Sequence, residues 1–432
     1  MFSNQMSVGK FYTRLITQIK EEGWSAVQRK ARHAVVRKVK LPNDIIVYLL
    51  TLSMVLFVRL IKPFVFIRFG PVRSDVIGHS VFNPEYYLCD RELNNYKTID
   101  CFYFQSYPFP NEQWALMVRR HLRINPFFKI FDKVNRTIPG WEKHFAPLIP
   151  FGSGSRDING LLSQTKPHIR FTNEENSKGI NFLQQQGLNS KDKFICLIVR
   201  DSAYKEKYQN QGGRDWSYHN YRDVDIDTYK ATVLALAKKG YWVFRMGKAV
   251  HKPLKEEHPR ILDYANSSYR SDFLDIWLMA NCFFCISNST GLDEVSGIFK
   301  KPVVKSNMVP IQYMASYSQC ITVPKYLVYQ DNNRLLTFSD HLAHSYLRSE
   351  EYDRARILVQ DLTSKEIKDA ALEMEARLTG SWEGSKQDLQ FQQQFWEKFK
   401  QNKDFNKFHG WIHPEARIGA SFLRENHEWF LA

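Results

Sequence analysis

The second half of the chain alternates short apolar runs with segments of helical periodicity. Each apolar run ends in a small or polar turn, and the segment after the turn has apolar residues at helical spacing. Strands that alternate with helices favour a parallel, doubly wound sheet with right-handed crossovers. The predicted strands are residues 194–204, 241–247, 261–267, 283–286 and 302–304, and the predicted helices are 229–239, 271–282 and 292–300.

The pattern is less regular in the first half and after residue 326. The first half contains two strand-like runs, three helix-like segments and a Gly/Ser-rich connection at 151–155. The strands are predicted at 64–70 and 101–106, and the helices at 81–93, 111–121 and 173–187. A domain boundary is predicted near residues 187–190. Residues 349–378 and 387–402 are helix-prone, and we expect the aromatic C-terminal tail to dock on the rest of the protein.

The N-terminal segment combines a basic stretch with an apolar one. Residues 1–40 contain nine Lys or Arg and two Glu, and residues 45–58 are fourteen consecutive uncharged residues. As a helix these fourteen would rise about 21 Å, less than the roughly 30 Å of a bilayer core. The basic flank suits an anionic cytoplasmic leaflet, so we predict association with the membrane rather than a span. A buried core helix is the alternative.

The net charge of +15 favours anionic partners, namely lipid head groups, nucleic acid or phosphorylated substrates. Basic residues concentrated beside one apolar run, without a nucleic-acid-binding motif, argue against nucleic acid. The six cysteines lie mostly within apolar runs. Cys282 and Cys285 match a CxxC spacing without a second pair, so buried, reduced thiols in a cytosolic protein are the better interpretation.

A small polar turn separates strand 283–286 from helix 292–300. We call it the SNSTG turn, after its residues Ser287, Asn288, Ser289, Thr290 and Gly291. Its hydroxyls, backbone N–H groups and helix N-terminus suit a phosphate, although the same residue types are ordinary helix caps. Because parallel strands end at one edge of a sheet, we expect Arg200, Arg245 and Gly247 to converge on this turn. Two arginines facing it predict an anion site of diphosphate size.

Several stretches together resemble the donor half of bacterial GT-B glycosyltransferases. They are FICLIVRDSAY, HNYRDVDIDTYKATVLALAKKGYWVFRMGK and FFCISNSTGLDEVSGIFKKPVV. More narrowly, the chain is similar to glycosyltransferases found among surface-polysaccharide biosynthesis genes, through FVFIRFGPVRSDVIGHSVFNPEYYLCDRE and the tail IGASFLRENHEWFL. The resemblance covers about residues 63–326 and the tail.

This resemblance implies an α/β protein with two Rossmann-like, doubly wound domains, while the basic and apolar residues that precede it predict an N-terminal membrane-associating helical segment. The segment would be residues 1–62, the acceptor domain 63–188 and the nucleotide-sugar donor domain 189–345. Residues 346–432 would form helices and a tail that pack back on these domains. The expected partners are a nucleotide-sugar donor, a glycan or lipid-linked acceptor and the cytoplasmic face of the inner membrane. No cofactor and no obligatory metal are implied.

The resemblance also assigns roles to residues. The SNSTG turn would meet the donor pyrophosphate, Arg245 and Arg200 would neutralise it, and Gly247 and Arg222 would lie beside the donor. Glu294 would reach ribose or sugar hydroxyls, or would simply be an acidic residue in a helix first turn. The chain lacks the E-x₇-E pair of retaining enzymes, since Pro302 stands where the second Glu would be.

An inverting transfer is therefore expected. It needs a base, for which His79 and Asp75 are the candidates. The alternating acids Asp223, Asp225 and Asp227 stand where acids cap a helix, so a metal site there is disfavoured.

The sequence leaves two other classes of function open. The same fold could serve a nucleotide-sugar epimerase or a pyruvyl transferase, and the basic arm allows a nucleic-acid-binding protein. The absence of GxxxxGK[ST] disfavours a P-loop kinase or ATPase.

Overall fold

A computed structural model describes residues 45–149, 156–208 and 217–432. Most of the basic N-terminal segment, the Gly/Ser connection at 151–155 and part of the loop before Tyr218 lie outside these ranges. The described strands are β1 (Ile67–Val72), β2 (Ile99–Phe104), β3 (Phe194–Ile198), β4 (Trp242–Met246), β5 (Ile261–Leu262), β6 (Cys285–Ser287), β7 (Val303–Met308), β8 (Cys320–Pro324), β9 (Tyr326–Tyr329), β10 (Ile357–Gln360) and β11 (Ala416–Ile418).

The dominant feature is a seven-stranded sheet with the order β11-β8-β7-β6-β3-β4-β5. Every pair of neighbours in this sheet is parallel, as the alternation of strands and helices predicts. The chain proceeds from β3 through β4 to the edge strand β5, and then returns to place β6 on the other side of β3. This reversal puts a crevice at the carboxyl ends of β3 and β6. All residues of β3, β6 and β7 are buried, as expected for strands covered on both faces.

Helices with well-formed caps surround the strands. Thr172, Thr337, Thr363 and Ser385 each form a reciprocal capping box with an acidic residue three positions later. The helices are residues 45–60, Ile77–Asn94, Glu112–His121, Phe128–Asn135, Leu161–Gln164, Asn173–Gln185, Ala203–Tyr208, Lys230–Lys238, Asp272–Asn281, Asp293–Ile298, Phe338–Ala343, Ser349–Arg354, Ser364–Thr379, Lys386–Lys400, Phe405–Phe408 and Ala420–Phe430. Short 3-10 helices are Trp141–His144, Ser217–Arg222, Ile226–Tyr229, Tyr264–Asn266 and Ile311–Tyr313.

The chain forms two compact units. The small unit comprises residues up to Phe69 together with Thr98–Asp100 and Pro126–Phe145, and the large unit comprises Gly70–Lys97, Cys101–Asn125 and Ala146–Ala432.

The expectation of a second doubly wound sheet in residues 63–188 is wrong for the described part of that region. It contains only β1 and β2, which form a two-stranded sheet. The helices of this region that belong to the large unit share one apolar core with the seven-stranded sheet instead: Phe82, Trp114 and Phe182 belong to the same cluster as Trp277. Gly179 shows how closely they pack, because a Cβ there would stand 2.1 Å from the Trp277 ring.

The C-terminal tail is part of the large unit. Its strand β11 adds to the edge of the sheet beside β8, and its helix Ala420–Phe430 buries Phe422, Leu423 and Phe430. All six cysteines are free and buried, which confirms that they lie inside the fold. Across the ranges that the structure describes, no helix is both long and apolar enough to cross a membrane.

Candidate active site

The candidate active site is a cavity of about 840 Å³ in the large unit, at the carboxyl ends of the central strands. It lies where the strand order reverses between β3 and β6. Nine of the twelve residues that the sequence suggested line it, namely Asp75, His79, Arg200, Arg222, Gly247, Ser289, Thr290, Gly291 and Glu294. The other three, Arg245, Ser287 and Asn288, are each at most 1% exposed and lie behind its wall.

The SNSTG turn presents its last three residues to the cavity and uses its first two for support. The Ser287 hydroxyl donates to Asp293 Oδ2 at 2.6 Å and accepts from the Thr290 backbone N–H at 3.3 Å. Ser289 adopts the left-handed conformation, with φ of 64°. The Thr290 Oγ1 is buried and has no hydrogen-bond partner among the described residues. Ser287 is therefore a structural residue, which corrects its predicted contact with a phosphate.

Asn288 joins the two chain segments that carry the cavity arginines. Its Oδ1 accepts from the Arg200 backbone N–H at 2.8 Å, and its Nδ2 donates to the Arg222 carbonyl at 3.0 Å. Each hydrogen bond of this kind contributes about 1 kcal/mol, and a buried partner left unpaired costs more. Asn288 therefore positions other residues instead of binding the donor as predicted.

Three cations gather beside the SNSTG turn. Arg222 donates to the Ser289 carbonyl, and Arg200 pairs through Nε with Asp223 Oδ1 at 2.9 Å. Burial, followed by the charges of Arg200 and Arg222, lowers the pKa of Lys205 to about 7. Burial and the charge of Arg200 lower the pKa of Arg222 to about 10. Arg200, Lys205 and Arg222 thus concentrate positive charge at this end of the cavity.

His219 lies against the same cations. Burial, then the charges of Lys205 and Arg200, lower the pKa of His219 to about 3, so its ring is neutral at pH 7. The neighbouring Tyr218 and Tyr221 also line the cavity and give this end an aromatic wall.

Arg245 contradicts the prediction that it faces the SNSTG turn. Its guanidinium donates to Asp263 Oδ1 at 3.2 Å and to the Lys252 carbonyl at 3.2 Å. Burial is the main cause that lowers the pKa of Arg245. The side chain therefore ties β4 to the loop that follows it. Gly247, two residues on, does reach the cavity and has a φ of 152°.

Glu294 lies in the cavity among hydrogen-bonding and charged neighbours. The Tyr317 hydroxyl donates to its Oε2 at 3.1 Å. Burial raises the pKa of the Glu294 carboxyl, against the lowering charge of Lys305. Lys305 itself pairs with Asp293 at 3.4 Å, and although burial opposes its charge, Asp293 and Glu294 raise its pKa. Glu294 thus lines the cavity with a carboxyl group that the Tyr317 hydroxyl holds in place.

His79 lies in the first turn of helix Ile77–Asn94, which meets the SNSTG turn, and Asp75 lies just before that helix. Asp75 pairs with Arg73 at 2.9 Å. Burial would raise the pKa of Asp75, but its hydrogen bond with Arg73 and that cation's charge lower it overall. Burial and the charge of Arg73 lower the pKa of His79 to about 4, against the effect of Asp75. At pH 7 the His79 ring is neutral and able to accept a proton.

Comparison with known proteins gives only remote similarities. No family model matches the chain, and no curated protein matches its sequence. A glycosyl transferase family 9 structure from Veillonella parvula DSM 2008 is 13% identical, with 60% of this chain and 86% of that chain covered and a TM-score of 0.40.

Two further structures match with lower TM-scores. The E. coli ADP-heptose lps heptosyltransferase II is 13% identical, with 60% and 90% covered and a TM-score of 0.34. The UDP-GlcNAc 2-epimerase from Methanocaldococcus jannaschii is 13% identical, with 76% and 81% covered and a TM-score of 0.24. At these values the similarities decide neither the reaction nor the substrate.

Several residues that line the cavity have no direct signal in the sequence. These residues are Arg156, Lys205, Lys248, Lys305 and Tyr317. Lys305 did carry a signal, because a lysine inside the apolar strand Val303–Met308 must be paired or functional. Arg156 carried none: it donates to the carbonyls of Tyr313 and Met314, more than 150 residues away in sequence.

The acidic residues that suggested a metal motif are paired with cations. Asp223 contacts Arg200, while Asp225 and Asp227 both contact Lys252. Asp225 also accepts from the Asp227 backbone N–H at 3.0 Å, which is the capping role expected from its place before a helix.

A second group with metal-ligand chemistry, Glu85, Cys89 and His168, lies elsewhere in the large unit. His168 Nδ1 is 3.0 Å from Glu85 Oε1, and its Nε2 is 2.6 Å from Glu92 Oε2. Both Glu85 oxygens also accept backbone N–H groups, from His168 and Ile169. Burial raises the pKa of the Cys89 thiol to about 12. The His168 ring therefore bridges Glu85 and Glu92, so the polar atoms of this group already have partners within the fold.

Proposed function

We propose that this protein is a glycosyltransferase that moves a sugar from a nucleotide-sugar donor to a hydroxyl group of a glycan or lipid-linked acceptor. The observation that carries the proposal is the cluster of Arg200, Lys205 and Arg222 beside the SNSTG turn. These cations surround a hydroxyl-rich turn at the switch point of a parallel sheet, which is a suitable place for a diphosphate. A cavity of about 840 Å³ also has room for the nucleoside and the sugar.

The charges of the site suit the departure of a nucleoside diphosphate. As the bond between the sugar C1 and the phosphate oxygen breaks, negative charge develops on the diphosphate. Arg222 and Lys205, with Arg200, are already positioned to stabilise that charge. Because these side chains supply positive charge, we propose that transfer does not depend on a divalent metal, which activity in the presence of a chelator would test.

The remaining cavity residues suit the other half of the reaction. We propose that Glu294, supported by Tyr317, accepts hydrogen bonds from the donor sugar. The acceptor oxygen then forms a bond to C1 from the face opposite the diphosphate, and its proton passes to neutral His79. Asp75 keeps negative charge near the ring and stabilises the imidazolium that forms. A single displacement of this kind inverts the configuration at C1.

We propose the assembly of bacterial surface polysaccharide, at the cytoplasmic face of the inner membrane, as the setting of this reaction. This setting is supported by the family resemblance of the sequence and by the exposed apolar side chains of the small unit, such as Phe57 and Leu60.

The experiment that tests the function is a screen of UDP-, GDP-, CMP- and dTDP-linked sugars by thermal shift, followed by assay of the sugar that stabilises the protein. A transferase releases the nucleotide only when an acceptor is present and yields a glycosylated product. Conversion of the donor to its epimer without an acceptor would instead show an epimerase. Absence of stabilisation by every nucleotide sugar would contradict the proposal.

A further inference from the structure

The small unit exposes a continuous apolar surface on one helix. Residues 45–60 form this helix, and it packs through Thr51 and Val55, which are 7% and 0% exposed. On the opposite side Leu50, Phe57 and Leu60 are exposed, and Phe64 follows just after the helix at 90% exposure. Large apolar side chains exposed together, rather than singly, mark an interaction surface.

The helix is held firmly in this orientation. Arg59, on the same side as Val55, donates through Nε and Nη2 to Asn135 Oδ1 at 3.1 and 2.7 Å. It also donates to the backbone carbonyls of Asn135, Ile138 and Pro139. Arg59 is therefore a structural residue and is not free to follow a membrane interface. The helix cannot turn its apolar side inward without breaking these bonds. The fold therefore keeps that apolar side exposed.

The same unit is positively charged on its exterior. Its described part contains seven Lys or Arg residues and three acidic residues. Two of the acids, Asp100 and Asp132, are buried in ion pairs with Arg68 and Arg136. Lys129 and Lys133 are exposed on helix Phe128–Asn135, next to the exposed apolar side chains Phe127 and Ile130. The segment that precedes the helix adds nine Lys or Arg and two Glu within residues 1–40.

We propose that this surface of the small unit docks on an anionic lipid bilayer, with the helix of residues 45–60 lying in the interface. Exposed apolar side chains and exposed lysines within one unit fit the acyl boundary and the anionic head groups of such a bilayer. A symmetric contact with a second copy fits less well, because it would bring this positively charged surface against itself. The surface includes Phe64 and the helix Phe128–Asn135, so it is wider than the apolar run alone.

The test is flotation of the full-length protein with vesicles of phosphatidylglycerol and phosphatidylethanolamine, compared with pure phosphatidylcholine vesicles. The triple variant Phe57→Glu, Leu60→Glu, Phe64→Glu is expected to bind the anionic vesicles at least tenfold more weakly. Leu389→Glu is the matched control, since Leu389 is 64% exposed in the large unit and should leave binding unchanged. The double variant Lys129→Glu, Lys133→Glu is expected to weaken binding to anionic vesicles and to reduce its salt sensitivity.

Two outcomes would overturn the proposal. Vesicle binding by the triple variant equal to that of the unmodified protein would assign binding to another segment, such as residues 1–44. A stable dimer that the triple variant dissociates, without vesicle binding by the unmodified protein, would assign the surface to a second copy. Because the substituted side chains are exposed, thermal unfolding should be unchanged, and it verifies that each variant is folded.

Discussion

Gly78 and Gly291 meet backbone to backbone where helix Ile77–Asn94 approaches the SNSTG turn. A Cβ on Gly291 would stand 2.9 Å from the Gly78 nitrogen and 2.9 Å from Ile77 Cγ2. Only residues without side chains allow this approach, which brings the segment that carries His79 beside the turn and close to Glu294. The contact between Gly78 and Gly291 thus sets the distance between the His79 segment and the SNSTG turn.

Gly291→Ala should therefore separate these two segments. We expect a loss of about 1–3 kcal/mol in the free energy of unfolding, as for other overpacked sites, together with weaker binding of nucleoside diphosphates. Urea denaturation and calorimetry measure the two effects. Gly297→Ala is the control, because a Cβ there meets nothing closer than 4.0 Å and the position is helical. Equal stability of the Gly291→Ala variant and the unmodified protein would show that the contact is not tight.

Asn288→Asp should weaken the anion site without touching the cavity surface. The new carboxylate still accepts from the Arg200 N–H but no longer donates to the Arg222 carbonyl, which it repels. We expect about 1–3 kcal/mol of lost stability and at least tenfold weaker binding of nucleoside diphosphate at pH 7.

Protonation should reverse part of this effect, because a neutral carboxyl can donate again. Binding by the Asn288→Asp variant should therefore recover as the pH is lowered. Asn332→Asp, at an exposed position, is the control. A deficit in binding that is the same at every pH would assign Asn288 a merely structural role.

Lys205 should make donor binding depend on pH. With a pKa of about 7, its amine is roughly nine-tenths protonated at pH 6 and one-tenth at pH 8. Because the protonated form attracts the diphosphate, the Kd should rise several-fold over this interval.

Two variants isolate the contribution of Lys205 from the titration of the ligand itself. Lys205→Arg should bind with a flatter pH dependence because its charge is permanent, and Lys205→Ala reports the contribution of the ligand alone. If the unmodified protein and Lys205→Ala showed the same pH profile, Lys205 would have no part in binding.

His168 should stabilise the fold mainly at low pH. The hydrogen bond with Glu85 raises the pKa of His168 above its usual value, against the effect of burial. A raised pKa in the folded state means that the stabilisation is complete below the unfolded pKa, about 6.5. It is lost as the pH rises through the folded value.

Denaturation of the unmodified protein and of His168→Gln should thus differ most at pH 5.5 and least at pH 8.5. The difference at low pH should be about 1.5–3 kcal/mol, the range for hydrogen bonds to charged groups. A difference that did not change with pH would show that the imidazole is neutral in the fold.

The sequence was informative where structure depends on local pattern. Continuous apolar runs such as 194–199, each followed by a polar turn, suffice to predict parallel strands, and parallel strands bring Arg200 and the SNSTG turn to one edge. The sequence was misleading where the direction of a side chain decides whether the residue faces the cavity. Arg245 lies on a strand end like Arg200, but Asp263 holds it behind the sheet edge.

Packing between segments that are distant in the chain could not be predicted from the sequence. The helices of residues 70–190 have the same periodicity whether they cover a sheet of their own or the sheet that follows. Contacts such as that between Gly179 and Trp277 show that they cover the sheet that follows. Cavity residues contributed by distant segments, such as Arg156, were missed because nothing in their local pattern distinguishes them.

The central claim is that Arg222, with its neighbours, binds the diphosphate of a nucleotide sugar. Calorimetric titration of UDP, GDP and dTDP into the unmodified protein, Arg222→Ala and the exposed-site control Arg123→Ala tests it most directly. We predict that one nucleoside diphosphate binds the unmodified protein and Arg123→Ala equally, and binds Arg222→Ala at least tenfold more weakly. Equal affinity for Arg222→Ala, or no binding of any nucleoside diphosphate to the unmodified protein, would contradict the claim.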